Sequence, residues 1–332
     1  MTSNINSRLK LTTRLTAVQT NDKQPAPPAT LDFNDMITII SQVIRVPPVF
    51  ANKLSNGDWG LGVASKGTPV SYLDNASFYK KRTTDLSANL RLDWNVTDDL
   101  KLSAIGGYTQ LAGSGQRFLS LQRLNANVTI GPANLIQFND ATTYKTLQQL
   151  AEYHKRFGNH DITVLAGHSF ESSYRDTATL SRSGFPSNDL TQINAGSING
   201  QTNNGTASEW ALNSYFGRVQ YSFDNKYLLE GSIRYDGSSR FPLSLRYAAF
   251  PSVAAGWRLG QERFIADNIK WIDELKVKAS YGVLGNQNIG NYPYQNILVA
   301  NSNTSYPFGG TIMTGAARTT LTDSTIHWES TR

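Results

Sequence analysis

Residues 214–236 read SYFGRVQYSFDNKYLLEGSIRYD, two runs of strict alternation joined by three turn-forming residues. In the first run Tyr215, Gly217, Val219, Tyr221 and Phe223 fall on one side of an extended chain, with Arg218, Gln220 and Ser222 on the other. After Asp224-Asn225-Lys226, the residues Tyr227, Leu229, Gly231, Ile233 and Tyr235 oppose Glu230, Ser232, Arg234 and Asp236. Successive side chains of a strand point to opposite faces, so the segment specifies a β-hairpin with one apolar and one polar face. The apolar face begins and ends in aromatic rings. Eight steps of about 3.4 Å in a strand tilted about 40° separate Tyr227 from Tyr235 by roughly 21 Å along a membrane normal. That height approaches the ~25 Å apolar band, edged by aromatic girdles, of a transmembrane β-barrel. Leu229, Gly231 and Ile233 are therefore expected to meet hydrocarbon, and Glu230 and Ser232 a wet lumen.

Composition agrees with a barrel and excludes other membrane architectures. Only 39% of the 332 residues are hydrophobic. There is no run of about 18 apolar residues, so helical spans are excluded. A barrel passes the same test, because half of every strand faces a polar interior. Fifteen Tyr, 14 Phe and 6 Trp, against 3 Met, supply ample aromatics for girdles. The sequence has no cysteine, which excludes disulfides and thiolate metal sites. The net charge of +6 comes without any basic run of five residues, so no nucleic-acid partner is expected. The first residues, MTSNINSRLKLTTRL, lack the apolar core of a secretory signal, so further sequence is expected upstream.

Period-2 reading predicts about nine strands, near residues 8–18, 86–96, 100–108, 147–157, 162–171, 214–223, 227–236, 251–259 and 275–283. Thr97-Asp98-Asp99, Gly158-Asn159-His160-Asp161 and Asp224-Asn225-Lys226 join three pairs through tight turns. Long polar connections, 19–85, 109–145, 172–213 and 237–250, separate the pairs. Structureless loops of that length argue against a compact soluble domain, whereas barrels carry short turns on one side and long loops on the other. The 260–274 link is expected to hold a short helix on the turn side. The fold class is thus all-β: part of an antiparallel transmembrane β-barrel, with nine to ten strands of a larger barrel. Residues 1–332 read as one barrel domain with no plug domain. Pro25, Pro27 and Pro28 suit a loop tip as well as a linker.

Four ordered segments carry a family resemblance: FGRVQYSFDNKYLLEGSIR (216–234), YDGSSRF (235–241), FPSVAAGWRL (250–259) and ELKVKASYGVLGNQNIGNY (274–292). YHKRFGNHDITVLAG (153–167) and IHWESTR (326–332) echo it more weakly. Together they resemble the SusC/RagA family of TonB-linked outer-membrane proteins. The resemblance implies a barrel of about 22 strands closed by a plug. It also implies energy from an inner-membrane TonB complex, a SusD-like surface lipoprotein as lid, and an oligosaccharide or peptide substrate. No segment here resembles a plug or a TonB box, so the chain is expected to be an internal barrel piece that does not transport by itself.

Candidate chemistry is sparse, and no catalytic or cofactor-binding residue is assigned. His154 and His168 fall on neighbouring predicted strands, but ordinary barrel positions explain them better than a metal site. Glu230, Arg234 and Asp236 share a polar face, which reads as lumen lining rather than a catalytic pair. GLGVASKG (60–67) lacks the Lys-Ser/Thr ending of a phosphate loop. Tyr292, Tyr294, Tyr306 and Phe308 are weak candidates for stacking on sugar rings; the substrate-binding residues stay unassigned. A passive porin, a surface adhesin and a secreted carbohydrate-binding sandwich are the alternatives to an importer.

Overall fold

A computed structural model describes residues 1–26, 36–62, 67–269, 271, 274–299, 305–318 and 320–332. Its centre is one antiparallel sheet of ten strands. In chain order these are β1 (Thr2–Asn4), β2 (Leu9–Gln24), β3 (Phe78–Asn95), β4 (Leu100–Leu119), β5 (Asn134–Phe157), β6 (His160–Ser183), β7 (Thr202–Phe223), β8 (Tyr227–Ser238), β9 (Tyr247–Trp257) and β10 (Val277–Gly282). Each pairs with its chain neighbour, so the sheet is a meander. It is open: β1 and β10 form its two edges. All nine expected strands are present, and β1 is added to them.

The registers run unbroken, with every residue of β5 from Asn134 to Phe157 paired to β6 and every residue of β8 paired to β7. An unbroken register preserves the two faces across the whole sheet, because one slipped residue would exchange them. Val219 therefore pairs with Val164 on one side and Gly231 on the other, and Gly231 pairs with Val253, all on the apolar face. Leu229, Ile233, Tyr215 and Val219 are each about half exposed, as are Leu90 and Trp94 of β3. So much exposed apolar surface on a regular sheet marks a lipid-contacting face. A row of rings edges this face at the turn side. Phe157 stacks on His160 at 5.2 Å, His160 lies 5.0 Å from Phe223, Phe223 6.3 Å from Tyr227, and Tyr227 6.2 Å from Trp257. At the other edge Tyr235 stacks on Tyr247 at 5.1 Å, and His168 lies 4.8 Å from Tyr215.

The expected long loops are shorter than the alternation suggested. Strands β5 and β6 have 24 residues each and β7 has 22, whereas crossing a bilayer takes only about 9–11. Much of the surplus stands beyond the apolar band with polar residues on both faces, so no continuous hydrophobic period marks it. Residues 109–119, 134–145, 172–183 and 202–213, read as loop from sequence, are strand. The first long connection is also partly structured, with helices α1 (Met36–Arg45) and α2 (Pro69–Leu73). Ile39 and Tyr72 bury each other there, and burial pushes the Tyr72 hydroxyl up to about 12. Pro27 and Pro28 lie outside the described residues.

At the turn side the connections are tight, as expected. Only Gly158 and Asn159 separate β5 from β6, with Gly158 at φ +57°, so that turn is two residues rather than four. Asp224 and Asn225 both take positive φ, a turn conformation that Asn and Asp tolerate. The β9–β10 link contains the expected short helix, α3 (Arg263–Ala266). After β10 the chain makes a long two-legged arm, pairing Leu284–Asn286 with Glu329–Thr331 and closing on the hairpin Ser305–Phe308 with Thr311–Thr314. Trp328 anchors the arm. It packs 5.2 Å from both Phe241 and Phe250, and its indole N–H donates to the Arg246 carbonyl at 2.8 Å.

The two faces predict opposite tolerances. Val219→Arg, at the middle of the apolar band, should cost about 2–4 kcal/mol in the bilayer-inserted protein, and Ser232→Arg less than about 1 kcal/mol. Denaturant titration in lipid vesicles measures both; equal costs would contradict the assignment of faces.

Candidate functional site: the inward face

The polar face of the sheet carries a network of paired side chains, alongside buried guanidinium nitrogens of Arg117 and Arg218 that have no hydrogen-bond partner among the described residues. Arg91 Nε donates to Asp93 at 2.8 Å, and the Ser103 hydroxyl donates to the same carboxylate at 2.6 Å. Lys101 Nζ sits 2.8 Å from Glu152. Gln220 Nε2 donates to Glu230 at 2.6 Å, and the hydroxyls of Ser232 and Ser252 meet at 2.7 Å. Arg234 donates to Asp236 and to Ser214, both at 2.8 Å. Nearer the outer end Tyr144 donates to Glu171, and Arg175 reaches Asp140 at 2.5 Å. These bonds join residues two apart on one strand, or positions on adjacent or nearby strands, as parity on one face requires.

Close packing holds the aromatic part of this wall flat. Phe216 lies over Gly167, where a Cβ would meet its ring carbons at 2.4 Å. The guanidinium of Arg234 covers Phe216 at 5.3 Å. Only glycine leaves room for this ring, which explains why the inward face of β6 opens at Gly167.

The candidates from sequence separate in space. His154 pairs in register with Thr163, and His168 with Gln149. His154 faces inward, with Nε2 3.0 Å from Asp161. His168 belongs to the apolar face, between Gln149 at 3.1 Å and Asn213 at 2.7 Å. The two rings thus occupy opposite faces. Among the described residues no group of three or more His, Asp or Glu could hold a metal. Glu230 and Asp236 each have their own partner, so they form no acid–base pair. Tyr292 meets Tyr294 at 6.3 Å, and Tyr306 meets Phe308 at 5.4 Å, both pairs on the arm after β10. Of the 60–67 segment, residues 63–66 lie outside the described residues. The YDGSSRF segment is built into the wall: Ser238 and Phe241 are fully buried, and Ser239 exchanges hydrogen bonds with Ala211 at 2.9 Å.

A second network, which sequence reading missed, ties the turns together. The Asp224 N–H donates to Asn159 O at 2.7 Å, the His154 N–H to Asp99 O at 2.8 Å, and Arg258 reaches Asn225 at 2.6 Å. Lys155 also pairs with Asp99. Glu262, just before α3, accepts from the Tyr227 hydroxyl at 2.7 Å and the Trp257 indole at 3.1 Å, with Lys226 at 3.7 Å. The hydrogen bond from Tyr227, then that from Trp257, holds the Glu262 carboxyl below its ordinary value of 4.5. No local motif signals this role; it depends on which residues the register brings to the girdle.

The inward face is thus dense in hydrogen-bonding groups and lies behind an apolar outward face. Residues 32–317 match the family model "TonB dependent receptor-like, beta-barrel". The chain belongs to that family, within its SusC/RagA branch. It is 29% identical over 283 residues to TonB-dependent receptor SusC of Bacteroides thetaiotaomicron, covering 83% of this chain and 27% of that protein. It is 32% identical over 225 residues to TonB-dependent receptor P26 of Formosa agariphila, covering 65% of this chain and 22% of that one. In fold it superposes on the structure of the RagAB peptide transporter with TM-score 0.83 at 23% identity, covering 99% of this chain and 36% of that one. The chain thus spans about a quarter of the length of these curated relatives.

Glu262 gives this belt a pH dependence of defined sign. Its folded pKa is depressed, so its contribution to stability is complete above its ordinary value of 4.5 and disappears as pH falls through the lower folded value. Glu262→Gln should lower the melting temperature at pH 7, and the gap from wild type should close in acid. A gap that stays constant with pH would exclude the carboxylate as its source.

Proposed function

We propose that this chain forms part of the barrel wall of an outer-membrane, TonB-dependent importer of oligosaccharides or peptides. The reading rests above all on the sheet itself, whose half-exposed apolar face is edged by rings and whose opposite face is polar and internally paired. Membership of the TonB-dependent receptor family supports energised import over passive diffusion. The likeness to SusC and to the RagAB transporter supports a SusD-like surface lipoprotein as partner. In this reading residues 1–332 belong to the barrel domain, and a plug elsewhere in the intact receptor engages the TonB complex. The inward face guides substrate by exchangeable hydrogen bonds and performs no covalent chemistry.

The tight turns then face the periplasm and the long strand extensions face outside. Cysteines at Asn159 and Asn225 should react with an impermeant maleimide only after the outer membrane is opened. Cysteines at Asn56 and Asn203 should react in intact cells. Surface labelling at Asn225 would reverse the orientation. Uptake of labelled oligosaccharide or peptide by cells carrying the intact receptor should fall to background when TonB is deleted. Uptake that persists without TonB would favour a porin.

A further inference from the structure

Strand parity sorts the charges of β2, β3, β4 and β5 in an unusual way. Their carboxylates, Asp22, Asp85, Asp93, Asp140 and Glu152, all have inward parity. The outward positions of the same strands carry no carboxylate. They do carry Lys23, Lys80, Arg82 and Lys145 on the long-loop side of the apolar band.

The contrast is sharpest in two adjacent rows. On the inward face Lys81 pairs in register with Asp22. One step away, on the outward face, Lys80 faces Lys23 in register, with the Lys80 ammonium 4.0 Å from the Phe78 ring centre. Like charges directly opposite each other on a sheet are destabilising. The next outward row places Arg82 beside Asn21, its Nε donating to Oδ1 at 3.3 Å. Gln116 flanks Lys80 in register, and Gln137 and Asn139 follow on β5. These residues line a cleft of about 430 Å³. Asp22 borders it too, but is engaged by the Gln24 side chain at 2.8 Å.

Height along the strand decides what such a cleft meets. Ala17 and Leu86, paired in register, end the apolar stretch on β2 and β3. Arg82 lies four residues beyond Leu86, and Lys80 and Lys23 lie six beyond Leu86 and Ala17. At about 3.4 Å per residue and about 40° tilt these are roughly 10 and 16 Å above the hydrocarbon. Above the cleft the outward face turns apolar again, where Phe78, Phe118 and Leu135 are packed with Phe185 of the following loop. Lys23, Lys80 and Arg82 are therefore confined to one slot above the roughly 5–8 Å phospholipid headgroup layer, at the level of the sugar core of a glycolipid.

We propose that this slot binds the phosphate groups of an anionic glycolipid of the outer leaflet, whose acyl chains lie along the apolar face of β2–β5. The proposal rests on the membrane reading above, on the long-loop side facing outward. A lipid phosphate between Lys23 and Lys80 removes their repulsion, and Arg82, Gln116 and Asn139 supply further donors. Bound lipid phosphate thus takes the place of the carboxylate that answers Lys81 on the inward face.

The test uses the intact receptor in detergent, with purified lipopolysaccharide, its enzymatically dephosphorylated form and inorganic phosphate as probes, read by native mass spectrometry. Wild type should retain the phosphorylated lipid. The K23Q/K80Q/R82Q variant should bind it about a hundredfold more weakly, as three cations near an anionic headgroup are lost. The inward control Arg14→Gln, outside the cleft, should bind as wild type does. A second readout covers a triple variant that fails to fold. Lys80→Gln alone should leave the receptor folded in lipid-free detergent while weakening glycolipid binding several-fold. Equal retention of the dephosphorylated lipid, displacement by millimolar inorganic phosphate, or undiminished binding by Lys80→Gln would each overturn the proposal. The Val219→Arg measurement separates that outcome from a failure of the membrane reading: a costly Val219→Arg with no phosphate preference removes the slot and leaves the barrel.

Discussion

The continuous antiparallel hydrogen-bond ladder is the constraint on which everything else in this protein depends. In hydrocarbon an unpaired backbone N–H or C=O costs several kcal/mol, so a spanning sheet must pair its whole length. The ladder from β2 to β9 does so without a slipped or inserted residue. Once the register is fixed, parity alone assigns each side chain to lipid or lumen. The apolar band, the girdles, the paired inner wall and the sorted charges of β2–β5 all follow from that single periodicity. The same demand makes the open edges at β1 and β10 untenable in a bilayer unless further strands pair with them.

Much of this was legible in the sequence, for a physical reason. Alternation is strong where the two faces meet different solvents, as at Tyr227 to Tyr235 and at Leu86 to Trp94. The same reason sets its limit. Past the girdle much of both faces is polar, and residues such as those of 172–183 and 202–213 carry no continuous period to read. Their strands continue because the ladder, once begun, extends at little cost while each added residue finds a partner. The extensions were therefore mistaken for loop, and the basic slot on them escaped notice.

The inner wall was legible as polar but not as paired. Alternation places Glu230, Ser232 and Arg234 inward, yet only the register reveals that Glu230 meets Gln220 and Arg234 meets Ser214. His154 and His168 illustrate the same limit. On neighbouring strands they look like partners, but parity sends one to each face. Glu262 lies in the link expected to hold a short turn-side helix, and its capture of two girdle residues depends on strands β8 and β9 ending side by side.

The pairing of most of the inner wall, Arg117 and Arg218 keeping guanidinium nitrogens without partners, bears on how the proposed conduit would work. An unpaired charge facing a wet channel would hold an oppositely charged solute and slow its passage. Ion pairs such as Lys101–Glu152 and Arg91–Asp93 are only partly buried, so each contributes about 1 kcal/mol or less to stability. Their larger effect is to cancel local fields while leaving hydrogen-bonding capacity at the surface. A wall of that kind interacts weakly and repeatedly with a neutral polar solute. In the proposed importer, passage then depends on opening the lumen rather than on escaping a site, which is where an energised gate would have leverage. On the long-loop side the outward face of β2–β5 follows the opposite rule, leaving Lys23, Lys80 and Arg82 without carboxylate partners on that face, and so is suited to holding an anion rather than to passing a solute.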